Sequence, residues 1–152
     1  MAVPQRTTLV TLGVADVERA AAFYEALGWR RSSASVEGEV AFIATSGPVL
    51  SLDGLGDLAR DAGLSAERSG FAGVSLAINL ESADEVDRAY GEWLAAGGSS
   101  PREPYAADWG GYIAYVADPD GHVWELAYTT RTGPSTPQAE SCSPSSALSG
   151  RA

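Results

Sequence analysis

The sequence predicts an α+β fold: tandem βαβββ modules forming a curved mixed sheet around a cavity, with helices outside. Three observations predict it. Residues 7–14 and 73–80 alternate side chains with the period of two that half-buried strands require. Each is followed by a capped segment with apolar residues at helical spacing. The halves also repeat: Val10–Val14 aligns with Val74–Ile78, and Gly47–Leu52 aligns with Gly121–Leu126. A strand-helix-strands unit covers one sheet face with its helix and leaves the other bare, so two copies side together around a cavity.

In the first module, Val10, Leu12 and Val14 share one strand face opposite Leu9, Thr11 and Gly13. Asp16 stands at a helix N-cap, Val17, Ala20, Tyr24 and Leu27 form the apolar stripe, and Gly28 supplies the stop. Three further strands are expected at 29–36, 40–45 and 49–53, separated by Glu37-Gly38 and Gly47-Pro48. Residues 55–64 read as a short linker helix. The boundaries are a domain at 1–130, with module one at about 7–53, a linker at 54–70 and module two at about 71–130.

The second module is better punctuated. Ser82 and Glu85 have the spacing of a capping box, Val86, Ala89, Tyr90, Trp93 and Leu94 form one helical face, and Gly97-Gly98 ends it. Residues 99–105 form an irregular strand interrupted by two prolines. Asp118-Pro119-Asp120-Gly121 is a turn joining the last two strands. On the final strand Trp124, Leu126 and Tyr128 share one face, which puts Glu125 on the other, facing whatever the sheet encloses. Residues 131–152 are rich in serine and proline and are expected to be a disordered tail.

Composition excludes several functions. With 152 residues and a net charge of −10, the chain is a poor candidate for nucleic acid or an anionic membrane. It has no apolar run long enough to span a bilayer and no secretory h-region, so a cytoplasmic protein is expected. The single cysteine, Cys142, permits no intramolecular disulfide. The single histidine, His122, follows Asp-Gly and suits a solvated turn. No phosphate loop, Ser-His-Asp order or cysteine nucleophile is visible, and no catalytic residue is assigned.

The stretches VTLGVADVERAAAFYEALGW and WGGYIAYVADPDGHVWELAY resemble the vicinal oxygen chelate superfamily, which includes glyoxalase I, extradiol dioxygenases and bleomycin-resistance proteins. The resemblance spans residues 7–129. In metal-dependent members, it implies, ligands come from inward positions on the first and last strands of each module, which correspond to Leu9, Ser51, Gly73 and Glu125. A divalent ion needs three or four convergent donors. Only Glu125 is a good one, so neither a metal nor another cofactor is expected.

The candidate ligand-binding residues are Leu9, Phe42, Ser51, Ser75, Asn79, Tyr105, Trp109, Tyr112, Tyr115 and Glu125. Aromatic rings beside small residues in the segment 105–112 suit a planar ligand. Trp109, flanked by Asp108, Gly110 and Gly111, is hard to explain as a core residue. The expected function is metal-independent binding of a hydrophobic or aromatic small molecule, such as an antibiotic, resembling the bleomycin-resistance branch. The alternative is a glyoxalase- or dioxygenase-like metalloenzyme with a degenerate metal site. The resemblance and the aromatic content together imply a homodimer.

Overall fold

A computed structural model describes residues 5–129. The tail expected at 131–152, including Cys142, lies outside the described residues. The order is β1 (Leu9–Val14), α1 (Val17–Ala26), β2 (Val40–Ile43), β3 (Val49–Gly54), α2 (Leu55–Asp61), β4 (Ser75–Asn79), α3 (Ala83–Ala95), β5 (Ser99–Ala106), β6 (Gly111–Ala117) and β7 (Val123–Thr129). The architecture is α+β, with two mixed sheets ordered β1-β3-β2 and β4-β7-β6-β5. In each sheet the module's first strand runs parallel to its last and occupies an edge.

The helix ends follow local chemistry. Asp16 Oδ1 accepts the Arg19 backbone N–H over 2.9 Å and starts α1. Ser82 Oγ accepts from Glu85 N, while Glu85 Oε2 reaches back to the Glu81 N–H. Gly28 (φ +85) and Gly97 (φ +105) turn the chain out of α1 and α3 through the left-handed region.

The helix-bearing faces of both sheets meet in one core. Leu12, Val14, Leu50 and Leu52 from the first sheet and Trp124, Leu126, Ala114 and Val116 from the second belong to the same buried cluster as Tyr24, Phe23 and Trp93. The rings interlock edge to face, with Phe23 and Trp93 centroids 5.3 Å apart and those of Trp29 and Trp124 5.5 Å apart. Such pairs contribute about 0.5–1.5 kcal/mol each beyond area burial. Trp93 Nε1 donates to the Ala117 carbonyl over 2.9 Å, which pins α3 to β6.

Two expectations need correction. The strand predicted at 29–36 is absent; only the isolated bridges Arg31↔Ile43 and Val36↔Val40 form. Serine side chains take the place of ladder bonds there: Ser32 Oγ accepts from Ala34 N, Ser35 Oγ donates to the Ser32 carbonyl, and Ser35 Oγ accepts from Phe42 N. The repeat alignment of the first strands is also displaced by two residues. Leu9 pairs with Val49 and Ser75 pairs with Val123, so the counterpart of Leu9 is Ser75, not Gly73. Gly73 lies before β4 with φ +75. A slip of two preserves the inward and outward faces, which is why hydrophobic alternation does not reveal it.

Candidate functional site

The sheet face turned away from the helices carries the polar chemistry. In the four-stranded sheet, register lines up Ala77, Glu125, Tyr115 and Arg102 across four strands, with Asn79, Ala127, Ile113 and Tyr105 in the next row. Ser75 and Val123 form the row on the other side. Alanines at 77 and 127 leave low ground between the larger side chains. Tyr115 donates its hydroxyl to Glu125 Oε2 over 2.8 Å. That hydrogen bond, together with partial burial and the carboxylate's charge, pushes the Tyr115 phenol up to about 12, so it stays a donor at neutral pH. Arg102 lies 3.5 Å from the centre of the Tyr105 ring, a cation–π contact.

Trp109 closes one end of this face. It sits on the turn held by Ala107 N to Gly111 O and Gly110 N to Ala107 O, with Gly110 at φ +95. Gly111 shares the outward parity of Ile113 and Tyr115, and a Cβ there would lie 2.0 Å from the Trp109 six-membered ring. The indole therefore rests on Gly111 while Trp109 stays 47% exposed.

The first sheet has a smaller outward face. Thr11, Ser51 and Phe42 form one row, and Leu9 with Val49 forms the next. The far end is covered by α2: a Cβ on Gly13 would meet Leu55 Cδ1 at 2.7 Å, so the glycine allows that helix to approach. Ser51 is buried, whereas Leu9 is 44% exposed.

The ten predicted residues are thus divided. Ser75, Asn79, Tyr105, Tyr115 and Glu125 share the outward face of the larger sheet, with Trp109 at its end. Leu9, Phe42 and Ser51 lie on the other sheet. Tyr112 requires a correction: it has the opposite parity from Tyr115 and donates to Asp87 Oδ1 of α3 over 2.8 Å on the helix side. Its acceptor raises the Tyr112 phenol pKa. Period-two counting from Tyr115 already separates the two tyrosines. Arg102 was missed because the β5–β6 register shifts on both sides of it and scrambles the parity along β5.

The donor set does not fit a divalent ion. With Ser75 in the corrected position, the matched residues are an alkyl group (Leu9), two hydroxyls (Ser51, Ser75) and one carboxylate (Glu125), split between two sheets. Among the described residues, no group of three or more His, Cys, Asp or Glu side chains is placed to hold a metal.

His122 also differs from expectation. Its ring is held by Asp118, Nδ1 to Oδ2 2.8 Å, with the side chain only 13% exposed. Asp118 additionally accepts the backbone N–H groups of Asp120 and His122 and the Tyr24 hydroxyl. Burial alone would raise its pKa. The hydrogen bonds from His122 and Tyr24, with the His122 charge, outweigh burial and leave it lowered. The imidazole therefore braces the turn before β7.

The family profile described as the Glyoxalase/Bleomycin resistance protein/Dioxygenase superfamily matches residues 6–126. Among solved structures, a glyoxalase-related enzyme from Fulvimarina pelagi is 36% identical, with a TM-score of 0.74 over 83% of this chain and 89% of that one. A glyoxalase/bleomycin resistance protein/dioxygenase from Nocardioides is 26% identical, with a TM-score of 0.70 over 89% and 91%. Lactoylglutathione lyase from Agrobacterium tumefaciens shares the fold at 20% identity, with a TM-score of 0.63 over 83% and 95%. A comparison with curated proteins returned no match. Among the described residues, no helix is long and apolar enough to cross a membrane.

Proposed function

The chain belongs to the Glyoxalase/Bleomycin resistance protein/Dioxygenase superfamily, and from that premise we propose that it binds a hydrophobic or aromatic small molecule without a metal. The ligand lies on the outward face of the four-stranded sheet. The observation that carries this reading is the Tyr115–Glu125 pair: the one carboxylate among the metal-matched positions is engaged by a phenol, not by further metal-type donors. Glu125 keeps a second carboxylate oxygen to accept a hydrogen bond from a neutral or cationic ligand. The Arg102-stacked Tyr105 and the half-exposed Trp109 offer flat surfaces in the rows beyond it, toward Gly111. The reading includes a homodimer, in which a second copy covers the outward face; the open edges of β1 and β4 and the exposed Leu9 and Val49 support it.

The test combines metal analysis with ligand titration. Protein purified without added metal is titrated with polycyclic aromatic natural products, DNA-damaging antibiotics among them, with and without chelator, following tryptophan fluorescence and melting. Binding unaffected by chelator and weakened by about 1–3 kcal/mol in Glu125→Gln, the range for a hydrogen bond to a charged group, is expected. Stoichiometric Zn, Ni, Mn or Fe that disappears in Glu125→Ala would overturn the proposal in favour of a metalloenzyme.

A further inference from the structure

A roomy cleft lies away from the outward face. It measures about 800 Å³ and opens between the helix-bearing faces of the two sheets. Val10 and Leu50 line it from the first sheet, Leu76, Ile78 and Trp124 from the second, and Trp29 from the segment after α1. None of the ten sequence-predicted ligand residues lines it. The Trp29 and Trp124 rings stand at 80° to one another in the cleft wall. This volume is within the range that takes drug-sized ligands, about 300–1,000 Å³.

The rim has a distinctive charge. Arg30 is the one ionisable residue among the lining residues, in a chain of net charge −10. Several other arginines are engaged: Arg19 pairs with Asp120, Arg31 with Glu18, Arg60 with Asp57 and Arg88 with Glu85, and Arg102 stacks on Tyr105. The Arg30 side chain has no hydrogen-bond or ion-pair partner among the described residues. Its backbone carbonyl accepts from Ala44 N over 3.0 Å, which ties the arginine to the loop of Thr45, Ser46, Gly47 and Pro48 that also lines the cleft. A cation without an internal partner at the mouth of an apolar, indole-walled cleft complements a ligand with an apolar body and one negative end.

We infer that this cleft is a second binding site, for an amphipathic anion: a ring system of two or three rings carrying one carboxylate or sulfonate. The rings enter between Trp29, Trp124, Leu76 and Ile78, and the anionic group stays at the rim with Arg30. The inference is independent of binding on the outward face: Leu76, Ile78 and Trp124 lie on the helix side of the four-stranded sheet, and only Ala77, on the edge strand β4, is shared with the outward row.

A matched pair of probes tests it. 8-Anilinonaphthalene-1-sulfonate and N-phenyl-1-naphthylamine share one skeleton and differ by the sulfonate. Both are titrated by fluorescence against the full chain as wild type, Arg30→Gln, Arg88→Gln, Ile78→Trp and Ala44→Trp. Both probes are expected to bind wild type. Arg30→Gln is expected to weaken the sulfonate about two- to five-fold, the range for an exposed ion pair, and to leave the uncharged probe unchanged. Arg88→Gln, which removes the same charge from the surface of α3, is expected to change neither. Filling the cleft with Ile78→Trp should weaken both probes; if that variant melts early, Ala44→Trp at the exposed rim carries the same test. Failure of wild type to bind either probe overturns the inference and points to a cleft closed by the chain's own tail or a second copy. Sulfonate binding that is indifferent to Arg30→Gln, or equally reduced by Arg88→Gln, overturns it as well.

Discussion

Tyr24 donates its hydroxyl to Asp118 Oδ2 over 2.8 Å, joining residues 94 positions apart. The bond connects the last turn of the first module's helix to the turn that closes the second module. Asp118 is 2% exposed, and burial, the Asp118 charge and this hydrogen bond all push the Tyr24 phenol far up, so it remains a donor. Asp120 adds a second tie between the same parts, accepting the Ala15 backbone N–H and an Arg19 guanidinium N–H.

Removing either partner has different expected costs. Tyr24→Phe deletes one of four donors to Asp118 and should destabilise by about 1–2 kcal/mol. Asp118→Asn replaces an acceptor-only group by one that turns N–H donors toward Tyr24 and His122, and should cost roughly 2–4 kcal/mol. Urea denaturation of both variants checks the order. A smaller loss for Asp118→Asn than for Tyr24→Phe would refute this account of the turn.

Acid stability should depend on the Glu18–Arg31 pair. Arg31 holds Glu18 by two bonds of 2.6 and 2.8 Å, and the Gly38 N–H adds a third. The Arg31 hydrogen bond first, then Gly38, lowers the Glu18 pKa from 4.5 to about 2. A folded-state value below the unfolded one gives stability that is complete above about pH 4.5 and is lost as pH falls toward about 2. The lowered Asp118 acts with the same sign. Melting curves across this window should fall less steeply in Glu18→Gln than in wild type, and identical slopes would remove Glu18 from the acid response.

Gly111→Ala should dislodge Trp109. The added methyl would overlap the indole, which is the free end of a half-exposed side chain and moves at modest cost. A melting change equivalent to less than about 1 kcal/mol, with red-shifted tryptophan emission, is expected. Trp109→Ala should remove both effects of a subsequent Gly111→Ala, so the double variant matches the single Trp109→Ala protein. On the binding proposal, Trp109→Ala also raises the dissociation constant of a planar ligand several-fold through lost stacking of about 0.5–1.5 kcal/mol.

The proposed homodimer predicts a two-chain mass by sedimentation at micromolar concentration. Leu9→Glu, on the exposed outward end of β1, should shift it toward monomer with little loss of monomer stability. Wild-type protein that sediments only as a monomer would count against the dimer.

Much of this protein is determined by local sequence. Asp16 and Ser82 cap helices because their side-chain oxygens reach free backbone donors three residues on. Asp118 to Gly121 turns the chain because Gly121 takes φ +85 and Asp118 accepts two nearby N–H groups. The alternation of Trp124, Glu125 and Leu126 sends the carboxylate to the face away from the helices for the same local reason. Other features belong to tertiary structure alone. The two-residue displacement that exchanges Gly73 for Ser75 leaves every side chain on its expected face, so only the ladder with β7 determines it. The division of Leu9, Phe42 and Ser51 from Glu125 follows from helix-bearing faces meeting in one core. That packing joins Tyr24 to Asp118 and leaves the cleft at Arg30. Both outcomes depend on contacts between residues far apart in the chain, which periodicity within a single segment cannot encode.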